Sequence, residues 1–343
     1  MRGDVLHNGR YRLVEEVKLP KNQQGQGTAW LAIDTQSPRN RVLLRVGTFP
    51  NSTEEEARQA VKTIVTRLTQ LSQQHPGFPA VVEVFNKYNT YYIVQPYPAG
   101  ETLASMMQRQ GGALPERDVA EYGRQICEML AILVLQRPPM VHGAISPETI
   151  VVSPYTRQAS LIYLPLFPPD PLMKDNASSG YMAPEQVRGD IKPSSDLYSL
   201  AATLHHAVTG FDPRERLIHF YPPARRLNPV VTSGMEAILA RGLRLSIAQR
   251  YTNPANMEQD LAALISSYPP VLETPPPATH PLLDSTRPRQ ARRRNITLTI
   301  VAVCAALGLI FMALLPFLNN MNADQAARIK SAQQAAMRDE LTL

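Results

Sequence analysis

Val141-His142-Gly143-Ala144-Ile145-Ser146-Pro147-Glu148-Thr149-Ile150 is the stretch whose surroundings decide the fold. Before it the chain reads as helix. Pro115 opens a segment whose residues Val119, Tyr122, Ile126, Met129, Leu130 and Leu133 recur at helical spacing on one face. After it, Ser194 or Ser195 is placed to cap a helix with Leu197, Leu200, Leu204 and Val208 inside and Gly210 as its stop. Asn253-Pro254 starts a further helix with Met257, Leu261 and Leu264 inward. Upstream of Gly100 the pattern changes to short apolar runs, at residues 11–19, 29–34, 41–49, 81–85 and 91–95, which read as strands. One helix interrupts them. Ser52 with Glu55, or Thr53 with Glu56, forms a capping box there, Glu54 adds to an acidic first turn, and Ala60, Ile64, Leu68 and Leu71 line one face. Strands in the first third and helices in the next two-thirds predict an α+β chain with two lobes.

The chain has 343 residues, 44% of them hydrophobic and 19% charged, an ordinary globular balance. The net charge is +6, and residues 287–294 hold five arginines (Arg287, Arg289, Arg292, Arg293 and Arg294). With the excess gathered there, the remainder is near neutral, which argues against a nucleic-acid partner. The two cysteines, Cys127 and Cys304, sit in a helical pattern and in an apolar run, so no disulfide framework is expected and the main domain fits a reducing compartment. Residues 1–11 offer no apolar core for a secretory signal.

Beyond residue 267 the composition shifts. Residues 268–295 are rich in proline and then arginine and read as an extended linker. Residues 296–318, opening at Ile296 and closing at Leu318, carry no charge. As a helix they span ~34 Å, enough for a hydrocarbon core of ~30 Å, so a transmembrane segment is expected. The basic flank should stay inside. The expectation is therefore a single-pass membrane protein with its N-terminal domain cytoplasmic and its C-terminus outside, and with Arg287 to Arg294 placed to meet anionic lipid. The full plan reads: 1–10 tail, 11–98 first lobe, 99–267 second lobe, 268–295 linker, 296–318 span, 319–343 short external tail.

Five strings in one order give this plan a family resemblance. Residues 91–103 (Tyr-Tyr-Ile-Val-Gln-Pro-Tyr-Pro-Ala-Gly-Glu-Thr-Leu) resemble the hinge of bacterial serine/threonine protein kinases. Residues 141–150 resemble their catalytic loop. Gly180-Tyr-Met-Ala-Pro-Glu-Gln186 resembles the end of their activation segment, Ser195-Asp-Leu-Tyr-Ser-Leu200 the start of their central helix, and Ala248-Gln-Arg-Tyr251 their late arginine segment. The resemblance covers residues 11–267 and implies the two-lobed kinase fold. It implies structural roles as well. His142 resembles the histidine packed behind the catalytic loop, Asp196 the aspartate that holds that loop's backbone, and Glu185 with Arg250 a partly buried ion pair.

The same resemblance marks departures at the positions that carry phosphoryl transfer. The phosphate loop is long and keeps only Gly25 and Gly27. Arg45 stands at the third-strand lysine, and its planar fork is no point charge. Leu43 replaces the small residue that lies against adenine, and Ile64 falls at the helix glutamate. Gly143-Ala144 replaces the Arg-Asp that includes the general base, Ser146 the lysine, and Thr149 the metal-binding asparagine. Tyr163-Leu164-Pro165 stands for Asp-Phe-Gly, and a tyrosine offers magnesium no carboxylate. Asp170 sits in a different register, and Ser178 and Ser179 fall where kinases are often phosphorylated.

These departures predict a degenerate, pseudokinase-like member that is not an enzyme, holds no cofactor or metal, and regulates or scaffolds through protein partners. ATP and magnesium enter only under two rival readings: an atypical transferase with Arg45 on the phosphates, and a nucleotide sensor without turnover. His205, His206 and His219 read as packing or surface residues before a metal site, and Met106-Met107 as core before a binding surface. Gly25 and Gly27 read as a hairpin closure before a phosphate nest.

Overall fold

The computed structural model describes residues 3–17, 19, 27–37, 41–167, 180–215 and 219–269. The stretches at 268–295, 296–318 and 319–343 lie outside them from residue 270 on, as do Gly25, Asp170, Ser178, Ser179 and Cys304. Among the described residues no helix is long and apolar enough to cross a membrane.

A six-stranded antiparallel sheet comes first. Its strands are β1 (Val5–Leu6), β2 (Tyr11–Val17), β3 (Thr28–Asp34), β4 (Arg41–Gly47), β5 (Glu83–Lys87) and β6 (Thr90–Pro96), in the spatial order β1-β2-β3-β4-β6-β5. The alternation of strand side chains assigns the faces. On β4, Val42 and Leu44 point to one side and pack with Tyr11, Leu13, Trp30, Ala32 and Val94. Leu43 points to the other side. The register pairs Leu43 with Leu31 on β3 and with Gln95 on β6, and Arg45 with Ala29 and Ile93.

Helix α1 (Glu54–Gln74) crosses between β4 and β5. Of the two cap choices, Thr53 is used: its Oγ1 accepts from the Glu56 amide at 3.3 Å, and Glu56 reaches back to the Thr53 amide at 2.7 Å. The deepest residues are Ala57, Val61, Leu68 and Leu71, while Ala60 and Ile64 are only partly buried. The expected stripe was thus off in the first turns, because α1 leans on the core most closely through the row that starts at Ala57.

The helical lobe follows. A small sheet of β7 (Glu101–Thr102), β8 (Ile150–Val152) and β9 (Ala159–Leu161) sits among α2 (Leu103–Gln110), α3 (Glu116–Val134), α4 (Pro184–Val187), α5 (Pro193–Thr209), α6 (Ala224–Leu227), α7 (Ser233–Gly242) and α8 (Pro254–Ser267). All six predicted inward residues of α3 are buried, as are those of α5 and α8, in one core that includes Phe49 and the inner face of α1. Met107 joins this core and Met106 packs against it. Gly210 ends α5 at φ 73°, and Asn253 caps α8 through its side-chain oxygen, with Pro254 in the first turn.

Helix α5 starts earlier than expected. Pro193 opens it, so Ser195 lies inside the first turn and does not cap. Its Oγ accepts from the Lys192 amide at 3.2 Å and donates to Glu185 at 2.7 Å. Glu185 and Arg250 are equally buried, at 3% exposure, and meet through two bonds of 2.8 and 2.7 Å. Arg250 also donates to the carbonyls of Arg244 and Leu245. This one guanidinium thereby ties α4 to the loop before α8.

Removing one partner leaves the other charge buried and unpaired. Glu185→Ala should lower unfolding free energy by ~3–5 kcal/mol, read as a fall in the urea midpoint. Replacing both Glu185 and Arg250 with leucine should cost less than the sum of the single changes, because no orphan charge remains.

Candidate functional site: the cleft between the sheet and the helical lobe

The string 141–150 forms a loop between α3 and β8, held from behind by α5. Asp196, 2% exposed, accepts the backbone N–H groups of His142 and Gly143, one on each carboxylate oxygen at 2.7 Å. Burial pushes its pKa up to about 7, against the pull of those two amides. His142 is 1% exposed, and its Nε2 lies 2.8 Å from the Ile162 carbonyl. Its Nδ1 accepts from the Ala144 amide at 3.3 Å, which makes Nε2 the protonated nitrogen of a neutral ring. Burial drives its pKa down to about 4.

Thr149, fully buried, closes the loop on itself. Its hydroxyl lies 3.0 Å from the Ser146 carbonyl and 3.3 Å from that of Ala144, and accepts from the Ser146 amide at 3.0 Å. Gln186 adds a strut that sequence reading missed. Its amide nitrogen donates to the Gly143 carbonyl at 2.9 Å, while its oxygen accepts from the Ala183 amide at 2.9 Å and from Ser199. A glutamine directly after the Pro-Glu pair was the available signal.

The floor and roof of the cleft meet. Leu43 and Ala29 from the sheet, with Leu19, pack against Val151, Ile162 and Tyr163 from below, and all six are no more than 7% exposed. Val17 and Tyr97 pack at the margin. Tyr163 takes φ 66°, a left-handed backbone that a bulky residue rarely adopts. Burial, then the nearby Tyr97, raises its pKa. The chain past Tyr163 continues into the sheet lobe. Arg45, wholly buried, donates from Nη1 to the Leu164 carbonyl at 2.9 Å. Phe167 meets Phe49 edge-on at 5.8 Å, and a side chain on Gly47 would run into the Phe167 ring. Residues 163–167 therefore form a strap across the cleft, pinned at three points.

Arg45 is incompletely satisfied. Among the described residues its Nε and Nη2 have no hydrogen-bond partner, and burial lowers its pKa to about 10, opposed by Tyr163. Gly27 sits at φ 87°, and the carbonyl of Val46 occupies the space a Cβ would need, so the close approach of strands requires glycine here. Ile64, at the position expected for a charged partner of Arg45, packs partly buried against the core.

Among the described residues no group of three His, Cys, Asp or Glu side chains is arranged to hold a metal. His205 meets the Pro222 carbonyl at 2.9 Å, His206 the Tyr181 hydroxyl at 2.6 Å, and His219 the Tyr198 hydroxyl at 3.2 Å.

With this geometry in view, comparison with known proteins decides the family. The protein kinase domain family matches residues 46–266. The chain belongs to that family. It is 25% identical to the serine/threonine-protein kinase PknA of Nostoc sp. over 78% of this chain and 50% of that protein. It is 26% identical to the serine/threonine-protein kinase PknA of Mycobacterium tuberculosis over 80% of this chain and 66% of that one. The chain thus spans about half to two-thirds of the length of these relatives. The crystal structure of the Mycobacterium tuberculosis PknI kinase domain superposes with a TM-score of 0.53 at 20% identity, covering 77% of this chain and 98% of that one, a likeness of fold.

These matches correct the expectation that the chain is not an enzyme: the family and its serine/threonine-kinase relatives point to a kinase enzyme. That expectation rested on single side chains.

Five histidines set the pH response. His75, His142, His205, His206 and His219 are all pushed toward the neutral form by burial, with pKa values below the ordinary 6.5. The unfolded chain binds those protons first, so the stability present above pH 6.5 should be lost as pH falls, down to about 4 for His142. Asp196 acts in the opposite direction, since its raised pKa favours the folded state at low pH. With Asp196 replaced by Asn to remove the opposing carboxylate, the urea midpoint should drop between pH 7.5 and pH 5, and a flat or rising midpoint in that variant would refute this account.

Proposed function

We propose that this protein is a kinase-family regulator or scaffold that works by binding protein partners with its two lobes at a membrane. The observation that carries the reading is the closed cleft. Leu43 and Tyr163 fill the space between sheet and helical lobe, and the Arg45 contact to Leu164 holds the strap across it. A nucleotide base has to displace this packing before it enters. A rigid, pre-organised pair of lobes is suited to protein recognition, because little ordering is lost on association. The anchoring part of the proposal rests on the uncharged run 296–318 and its arginine flank, with the domain cytoplasmic and the C-terminus outside.

A second reading is favoured by Arg45 alone. Two of its nitrogens are buried without a partner among the described residues, and an entering phosphate would satisfy them. Under that reading the protein is an atypical, nucleotide-binding kinase in which Arg45 takes the phosphate charge.

Thermal unfolding of the full chain in detergent, with ATP and either magnesium or EDTA, separates the two. The closed-cleft reading expects no shift in either condition. Millimolar ATP on a micromolar site would add ~4 kcal/mol, and a magnesium-dependent shift of that size overturns it in favour of the atypical kinase. Opening the cleft supplies the complementary arm. Tyr163→Ala combined with Leu43→Ala should lower basal stability and create an ATP-dependent shift that the parent chain lacks.

A further inference from the structure

Helix α1 carries three acids in its first turn and none afterwards. Its first basic residue, Arg58, is paired with Glu54 at 3.1 Å and with Glu55 at 3.5 Å. The next two are not matched in this way. Lys62 and Arg67 lie on the outward side of α1, beyond the reach of those acids, and among the described residues neither has an ion pair or hydrogen bond. The helix dipole does not explain them, since its effect is confined to the last turn, where α1 has no basic residue. On α1 they stand beside Thr63, Thr66 and Gln70, which follow the same helical stripe.

The turn after α3 completes the surface. Arg137, far away in sequence, comes to face this stripe and is likewise without a partner among the described residues. Together these residues line an open groove of about 410 Å³, and among the described residues no acidic group lines it. Gln136 is fixed there by a bond from its side-chain amide to the Ile132 carbonyl at 3.1 Å. Three cations with two elements behind them, and hydroxyl and amide donors between, form a receptacle for negative charge. The volume is in the range of small-ligand sites and exceeds what a single phosphate needs.

We propose that this groove on the outer side of α1 is a binding site for a small phosphate-bearing anion carrying two or more charges. Lys62 and Arg67 supply charge from the helix, Arg137 closes the site from the helical lobe, and Thr66 with Gln70 donates to oxygens not taken by the cations. The site shares no residue with the cleft. It bridges α1 to the turn after α3, so an occupant would brace the sheet lobe against the helical lobe.

The test is calorimetric titration of inorganic pyrophosphate into the full chain in neutral detergent. Saturable binding at one equivalent, weakening with added salt, is expected. Each of Lys62→Gln, Arg67→Gln and Arg137→Gln should weaken it roughly tenfold, as loss of one charge-assisted hydrogen bond does, and the triple variant should abolish it. In the unaltered chain pyrophosphate should also protect Lys62 from acylation and leave the exposed Lys87 reactive. Absence of saturable heat overturns the proposal. So does binding that survives the triple variant or leaves Lys62 reactive, since the anion then sits elsewhere, for instance on Arg45.

Discussion

A carboxylate at 2% exposure is costly unless its charge is met, and Asp196 meets it with two backbone amides of a loop distant in sequence. The rest of the site depends on this contact. Two fixed amides orient the loop backbone at His142 and Gly143. That orientation lets the His142 ring reach the Ile162 carbonyl, and Ile162 precedes the strap. The Gly143 carbonyl is in turn taken by Gln186, next to the Glu185–Arg250 pair. One buried charge therefore connects α5, the loop, the strap and α4, and the buried ion pair stiffens the same region from below.

The upper half of the site is organised by a different physical problem. Arg45 projects from β4 on the same face as Leu43, and among the described residues it has no ion pair. It finds a carbonyl, that of Leu164, and two of its nitrogens have no partner among the described residues. A cation so placed draws the backbone after Tyr163 toward the sheet. Phe167 then seats against Gly47 and Phe49, and the left-handed turn at Tyr163 is held by contacts on both sides of it. The closed cleft and the incompletely satisfied guanidinium are two aspects of one arrangement, which is why they favour different readings of how the domain is used.

Much of this was legible beforehand. Periodicity located the inward faces of α3, α5 and α8 residue by residue, since apolar residues at helical spacing have only one way to be buried together. The motif strings singled out Asp196, His142, Glu185 and Arg250, and in the structure Asp196 holds the loop amides, His142 meets the Ile162 carbonyl and Glu185 pairs with Arg250. Enzymatic activity was not legible in the same way. The expectation of its loss rested on the identities of Ala144, Thr149 and Tyr163, and the family match places the chain among kinases despite them. The start of α1's buried row was displaced because that helix leans on the core through the row from Ala57, and the start of α5 because Pro193 opens it ahead of Ser194 and Ser195.

By itself the sequence determined the two-lobed α+β plan, the polar and apolar faces, and where along it Arg45, Leu43 and Tyr163 stand. These are local properties, carried by spacing and side-chain type. Only the tertiary structure decided what those residues meet. That Leu43 and Tyr163 share one packed cluster, that the Arg45 guanidinium finds a carbonyl 119 positions away, and that Arg137 lines one groove with Lys62 and Arg67 are long-range facts. They follow from how two lobes close on each other, and no periodicity along the chain encodes the distance between residues on opposite sides of a cleft.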